Sequence, residues 1–202
     1  MSPSRSLLLI FTRNPELGKV KTRLAASIGD QNALNVYKTL LDRTVAFTQN
    51  LALDKHVYYS ESINENDRWD PATYTKYKQE GETLGDRMAN AFQTGFAQNY
   101  DKICIIGSDM YDLDAATIED AFTQLQSCDV VIGPAADGGY YLLGMNTLHS
   151  TIFKNKEWGT DTVLSQTLED IHHLNVHLLD VRNDIDRVED IKDIPEFQKY
   201  LK

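Results

Sequence analysis

The sequence has little cysteine, little proline and no long apolar run, and each shortage removes a class of protein. Its two cysteines, Cys104 and Cys128, form no CxxC pair and lie within or beside apolar stretches. That placement suits reduced core thiols better than a disulfide scaffold or a zinc site. Five prolines and eleven glycines in 202 residues rule out collagen-like and low-complexity compositions. The apolar stretch Leu7 to Phe11 is far too short to span a membrane and lacks the flanks of a signal peptide, so a cytoplasmic protein is expected. Positive charge is scarce too. Twenty Lys and Arg against thirty Asp and Glu leave a net charge of -10, which repels a nucleic-acid backbone and favours a small-molecule partner.

What is present is ordinary globular material, 42% hydrophobic and 25% charged, enough for one domain spanning residues 1–202 with its own core. Strand-like apolar runs alternate with helical patterns, the order of a mostly parallel sheet covered by helices. Leu7 to Phe11 reads as a buried first strand. Leu34, Tyr37, Leu40, Leu41 and Phe47 recur at helical spacing behind Asp30 as a cap. His56 to Ser60 reads as a strand and Glu61 to Pro71 as a surface loop. A helix over Leu84 to Phe96 and a strand over Ile103 to Ile106 follow, and Asp114 caps a helix to about Leu125. Val130 to Ile132 and Tyr140 to Met145 bracket the turn Asp137-Gly138-Gly139. Thr160 or Asp161 would cap a helix to Ile171, Val176 to Val181 is a last strand, and Val188 to Leu201 a closing helix.

Four segments can carry chemistry. The first, Phe11 to Leu24, follows a strand directly and holds Arg13, Lys19, Lys21 and Arg23 with one acid, Glu16. Ligands of open α/β sheets sit outside the carboxyl ends of the strands, and these bases can meet phosphate oxygens while Gly18 allows close backbone approach. A solvated basic turn is the plain alternative. Neither GxxxxGK[ST] nor GxGxxG is present. The second, Ile105 to Leu113, sets Asp109 past a buried strand behind the small residues Gly107 and Ser108, where a carboxylate can meet a divalent cation carried by a nucleotide. Asp112 either assists it or joins Asp114 in capping.

In the third segment, Gly133 to Tyr141, Asp137 precedes Gly138 and Gly139. It can act on a hydroxyl, or the Asp-Gly step can serve turn geometry alone. In the fourth, Asn183 to Ile191, Asp184 and Asp186 can supply a second oxygen donor or charge a helix start. Trp158, Gly159, Thr160 and Asp161 line a second-substrate pocket or form a cap with an anchoring tryptophan. His172, His173 and His177 straddle a helix end and the next strand and read as solvated surface.

In order, these segments resemble a family of bacterial glycosyltransferase-like proteins with the GT-A, nucleotide-diphospho-sugar transferase fold, some associated with arsenosugar biosynthesis. The resemblance rests on Phe11-x-Arg13-x-Pro15-x-x-Gly18-x-Val20-Lys21-Thr22-Arg23-Leu24, Leu84-Gly85-x-Arg87-Met88, Gly107-Ser108-Asp109, Asp137 to Tyr141, Trp158-Gly159-Thr160 with Val163-Leu164, and Asp184-x-Asp186-x-x-Glu189-Asp190. More distantly it is similar to the guanylyltransferases of molybdenum cofactor and 2-phospholactate metabolism, although the paired glycines that open their first loop are missing.

The resemblance implies an α/β protein of three layers, α/β/α, around a mostly parallel mixed sheet. It implies Mg²⁺ or Mn²⁺ on Asp109 and Asp186, and nucleotide phosphates on Thr12, Arg13, Gly18, Lys21, Arg23, Arg87 and Ser108. Gly138, Gly139, Tyr140, Trp158, Thr160 and Asp161 are then expected around the acceptor, with Asp137 or Asp161 acting on its hydroxyl and Asp109, Lys21 and Arg23 stabilising the leaving group. The expected reaction is glycosyl transfer from a nucleotide sugar. Nucleotidyl transfer from an NTP to a phosphorylated acceptor is the second reading, and a non-catalytic nucleotide-binding module the third.

Overall fold

The computed structural model describes residues 4–201. Among them seven strands form one sheet: β1 (Ser6–Thr12), β2 (Asp54–Tyr59), β3 (Thr75–Lys78), β4 (Lys102–Gly107), β5 (Val130–Pro134), β6 (Tyr140–Met145) and β7 (Val176–Leu178), in the order β3-β2-β1-β4-β6-β5-β7. All neighbours pair in parallel except β6, which runs antiparallel to both β4 and β5. The helices are α1 (Thr22–Ile28), α2 (Asp30–Thr48), α3 (Leu84–Ala97), α4 (Ala115–Gln124), α5 (Val163–Asp170) and α6 (Val188–Ile191).

Side-chain alternation in β1 divides the core. Leu8 and Ile10 pack with Leu34, Tyr37 and Leu41 of α2 and with Ile118 and Phe122 of α4. Leu7 and Leu9 face the other way, toward Met88 and Phe92 of α3. A strand buried on both faces must be apolar throughout, which is why Leu7 to Ile10 shows no alternation in sequence. The outer face of α2 carries a third cluster, in which Ala33, Val36 and Leu40 meet Leu24 of α1 and Ile191 of α6. Three layers result, as expected.

Several boundaries differ from expectation. Asp30 opens α2 as its first residue, and the cap position belongs to Gly29, because a short helix α1 precedes it. β3 lies in a stretch too polar to show a strand pattern, and Trp69 of the expected surface loop is only 1% exposed. α5 starts at Val163 with Thr162 at its cap, leaving Thr160 and Asp161 in the preceding loop. β7 stops at Leu178. The closing helix is broken in two: α6 ends at Ile191 and a separate 3-10 turn spans Pro195–Tyr200, since proline donates no backbone bond and restricts the residue before it. Asp114 does cap α4, accepting from Thr117 N at 2.9 Å.

The topology fixes where a ligand can sit. From β1 the sheet grows outward through β2 and β3 on one side and through β4 on the other, so the crevice between the carboxyl ends of β1 and β4 is the switch point. Tyr37 of α2 ties it together. Its hydroxyl accepts from Arg13 N at 2.9 Å, donates to Arg13 O at 3.2 Å and lies 3.3 Å from Ser108 Oγ. Ser108 Oγ in turn donates to Thr12 Oγ1 at 3.1 Å. Tyr37→Phe deletes the hub and leaves buried groups short of a partner, at a cost of about 1–3 kcal/mol. Urea unfolding should show a lower midpoint with the slope m unchanged.

Candidate functional site

The loop after β1 and the end of β4 together put charge into the switch-point crevice. After β1 the chain turns at Gly18 (φ 73°) and reaches Lys21, a non-glycine residue held in the left-handed region at φ 48° and ψ 46°. That costly conformation caps α1 and coincides with placing the Lys21 ammonium over the end of β4. There it donates to Asp109 Oδ2 at 2.8 Å and lies 3.9 Å from Asp184 Oδ2, with its side chain only 6% exposed. Gly107 clears the way for this pair: a Cβ on it would stand 2.9 Å from Asp109 Oδ1.

The charges shift one another. Burial pushes the Asp109 carboxyl up, but the adjacent Lys21 ammonium more than offsets this and holds it below the usual range. Burial also weakens the Lys21 ammonium, and Asp109 again reverses the sign, so that its pKa rises. Asp184 fares differently. Burial first, then the carboxylates of Asp109, Asp137 and Asp186, push it up to about 6 against the pull of Lys21. Asp186 is engaged elsewhere, accepting from Arg23 Nη1 at 2.8 Å.

Two cavities meet here. A polar cleft of about 750 Å³ is bordered by Arg13, Lys19, Lys21, Arg23 and Arg87, and also by Ser60, Glu61 and Gln79. A smaller cavity of about 240 Å³ lies between Phe11, Met88, Met110, Tyr140 and Trp158. Asp109, Asp137 and Asp184 border both.

The wall of the smaller cavity is one interlocked unit. Gly138, at φ 89°, presses so closely on the loop before α5 that a Cβ would lie 2.2 Å from Asp161 O, and its carbonyl accepts from Leu164 N at 2.9 Å. Trp158 packs on α3 where Gly85 leaves room, since a Cβ there would meet Trp158 Nε1 at 2.6 Å.

The expected residues therefore divide. Arg13, Lys21, Arg23, Arg87, Asp109 and Asp186 border the polar cleft. Thr12 and Ser108 touch it too, yet both are buried and their hydroxyls join the Tyr37 hub. Gly18 shapes the loop from outside. Gly139, Tyr140, Trp158 and Thr160 line the smaller cavity, whereas Gly138 and Asp161 buttress it without lining it. Asp137 lies between the cavities, its Oδ1 accepting from Gly139 N at 3.0 Å. Asp112 is not part of the site, since Arg182 takes both its carboxylate, at 3.5 Å, and its carbonyl. Tyr37 and Gln79 join the site without having been expected. Tyr37 read as one more apolar helix position, and Gln79 carried no signal.

A cation would find oxygen donors but no closed cage. Asp109 and Asp184 already converge on one ammonium, and among the described residues no group of three or more His, Cys, Asp or Glu forms a metal site. Two carboxylates with room for outside oxygens suit a hard cation that arrives with a phosphate-bearing ligand.

Fold and site together define a protein of the nucleotide-diphospho-sugar transferase, GT-A-like fold class. The chain belongs to the bacterial family described as "Uncharacterized protein conserved in bacteria (DUF2064)", whose model matches residues 38–160. Among solved structures it is similar to a candidate nucleotide-diphospho-sugar transferase from Desulfovibrio desulfuricans G20. The two share 31% identity and a TM-score of 0.86, covering 97% of this chain and 91% of that one. The fold alone is shared with the 4-diphosphocytidyl-2C-methyl-D-erythritol synthase of Anaerococcus prevotii DSM 20548, at 10% identity and TM-score 0.60 over 97% and 96% of the two chains. The same holds for a cytidylyltransferase from Leptospira borgpetersenii, at 16% identity and TM-score 0.54 over 94% and 84%. No curated protein matches the chain by sequence.

Because Asp184 holds its proton more tightly when folded, its ionisation destabilises the native state as pH rises from 3.8 through about 6. Asp184→Asn should raise the melting temperature above pH 6 by about 2–4 °C, taking roughly 1 kcal/mol after screening. The gain should shrink as pH falls below about 6 and vanish only well below the unfolded value of 3.8, where the wild-type carboxyl is neutral in both states. Thermal unfolding from about pH 3 to 8 checks this, and a gain independent of pH would refute it.

Proposed function

We propose that the protein is a metal-dependent transferase that moves a glycosyl group from a nucleotide sugar to a small acceptor. The observation that carries this reading is the convergence of Asp109 and Asp184 on the Lys21 ammonium, at the point where a basic cleft and an apolar cavity meet. The donor's diphosphate belongs in the cleft, where Arg13, Arg23 and Arg87 can neutralise its oxygens. Mg²⁺ or Mn²⁺, held by Asp109 and Asp184, would supply further charge stabilisation to the departing nucleoside diphosphate. Lys21 is placed to follow the negative charge from Asp109 to a phosphate oxygen. Its loop is pinned at both ends, by the Tyr37 hub and by the start of α1, so the ammonium is already in position as charge develops.

The acceptor enters from the smaller cavity. Trp158 and Tyr140 shield the reacting carbon from water, which would otherwise compete as the acceptor. Asp137 has one carboxylate oxygen on Gly139 N and the other available to orient the attacking hydroxyl and take its proton. The bond between the anomeric carbon and the diphosphate breaks as the bond to the acceptor oxygen forms.

One feature favours a second reading. Five bases border the cleft, more than a diphosphate needs, and such a cluster suits the triphosphate of an NTP with pyrophosphate as the leaving group. The D. desulfuricans protein is named for nucleotide-diphospho-sugars and the L. borgpetersenii protein for cytidylyl transfer.

Incubation with each NTP and each nucleotide sugar, with Mn²⁺ and a mixture of hydroxylated and phosphorylated acceptors, separates the readings. Free nucleoside diphosphate is the expected product, whereas pyrophosphate would establish nucleotidyl transfer. Asp109→Ala should lower turnover roughly a hundredfold or more, and undiminished turnover would remove Asp109 from the mechanism. Nucleotide binding seen as a thermal shift, with no product from any acceptor, would make the chain a nucleotide-binding module instead.

A further inference from the structure

The two cavities divide their charge unequally. Every basic side chain of the site borders the polar cleft, and Lys21 among them is occupied by Asp109 and Asp184. The smaller cavity is lined by no Lys, Arg or His. Its body is apolar, with Phe11, Met88 and Met110 facing a wall in which the Tyr140 and Trp158 rings stand perpendicular, 6.4 Å apart. Its charged groups are all carboxylates, Asp109, Asp137 and Asp184, at the mouth shared with the cleft. Tyr140 also carries a buried hydroxyl that has no hydrogen-bond partner.

We propose that the smaller cavity selects a neutral or cationic acceptor with an apolar body and a free hydroxyl, and rejects acceptors bearing phosphate or carboxylate. This rests on the assignment of the polar cleft to the nucleotide. An anion in the smaller cavity would lose its water, gain no basic side chain from the lining and, with Asp109 and Asp184 given to Lys21 and the cation, still face the Asp137 carboxylate. An amine would meet that carboxylate favourably, and a ring or alkyl body would fill the aromatic wall. The charge sorting matters for the reaction. With phosphate oxygens confined to the cleft, the acceptor's hydroxyl is the group left to approach Asp137. An enzyme transferring a nucleotidyl group onto a phosphate would need bases on this side, and the lining provides none.

Three probes on one scaffold test this: benzyl alcohol, benzylamine and benzyl phosphate. Each is titrated into the full-length protein with Mg²⁺ and saturating inorganic pyrophosphate, which occupies the phosphate cleft. The readout is the fluorescence difference between wild type and Trp158→Phe, so that binding beside Trp158 alone is scored. Benzyl alcohol and benzylamine should perturb Trp158, with benzyl phosphate at least tenfold weaker. Asp137→Asn should narrow the gap between amine and phosphate. The proposal is overturned if benzyl phosphate binds beside Trp158 as well as the alcohol does, or if none of the three perturbs it. The underlying assignment is judged separately: pyrophosphate that fails to raise the melting temperature of the wild type would refute a phosphate cleft, whatever the benzyl series shows.

Discussion

A buried ammonium between two carboxylates is the constraint around which the functional edge is arranged. Lys21 reaches Asp109 from a backbone conformation that few non-glycine residues adopt, and it does so from the loop that must also present Arg13 and Arg23 to the cleft. Removing Lys21 or Asp109 leaves the other an uncompensated charge, which is costlier than losing the attraction alone. Asp184 already shows this imbalance: with Lys21 given mainly to Asp109, its own carboxyl is pushed up to about 6. The cluster of Asp109 and Asp184 therefore holds more negative charge than one lysine can balance, and a ligand bringing a cation would relieve the excess. Stability and binding are thus set against each other at one cluster.

Much of the scaffold could be read from local pattern. β1 and β4 are apolar runs because the sheet buries both their faces, and α2 and α3 show helical spacing because each faces the sheet with one side. Elements whose character comes from tertiary contacts were not legible. β3 is a polar edge strand paired only to β2, and α1 is a single short helix whose start depends on the Lys21 backbone. The ending of the closing helix was written in Pro195, but the apolar spacing on both sides of it concealed the break.

The site was legible as segments and not as contacts. Asp109 and the basic loop could be placed because each follows a buried strand. The choice between Asp184 and Asp186 could not, since both sit in one acidic stretch and only the packing decides which meets Lys21 and which meets Arg23. Gly85 and Trp158, separated in sequence by β4, β5 and β6, turn out to be two halves of one contact. Tyr37 was hidden because a tyrosine at an apolar helix position gives no sign of where its hydroxyl will end.

The reversed direction of β6 has a consequence for how such a protein can diversify. By running against its neighbours, this strand delivers a sequence-local hairpin, Gly133 to Tyr141, to the same edge where β1 and β4 finish. One side of the crevice is thus assembled from dispersed strand ends that must keep their register, and the other from a short contiguous segment braced by the loop before α5. Substitutions in that segment can reshape the smaller cavity while leaving the basic half of the crevice intact. New specificities can then arise by altering a handful of adjacent codons, and a designer could exchange the hairpin and its brace as a cassette.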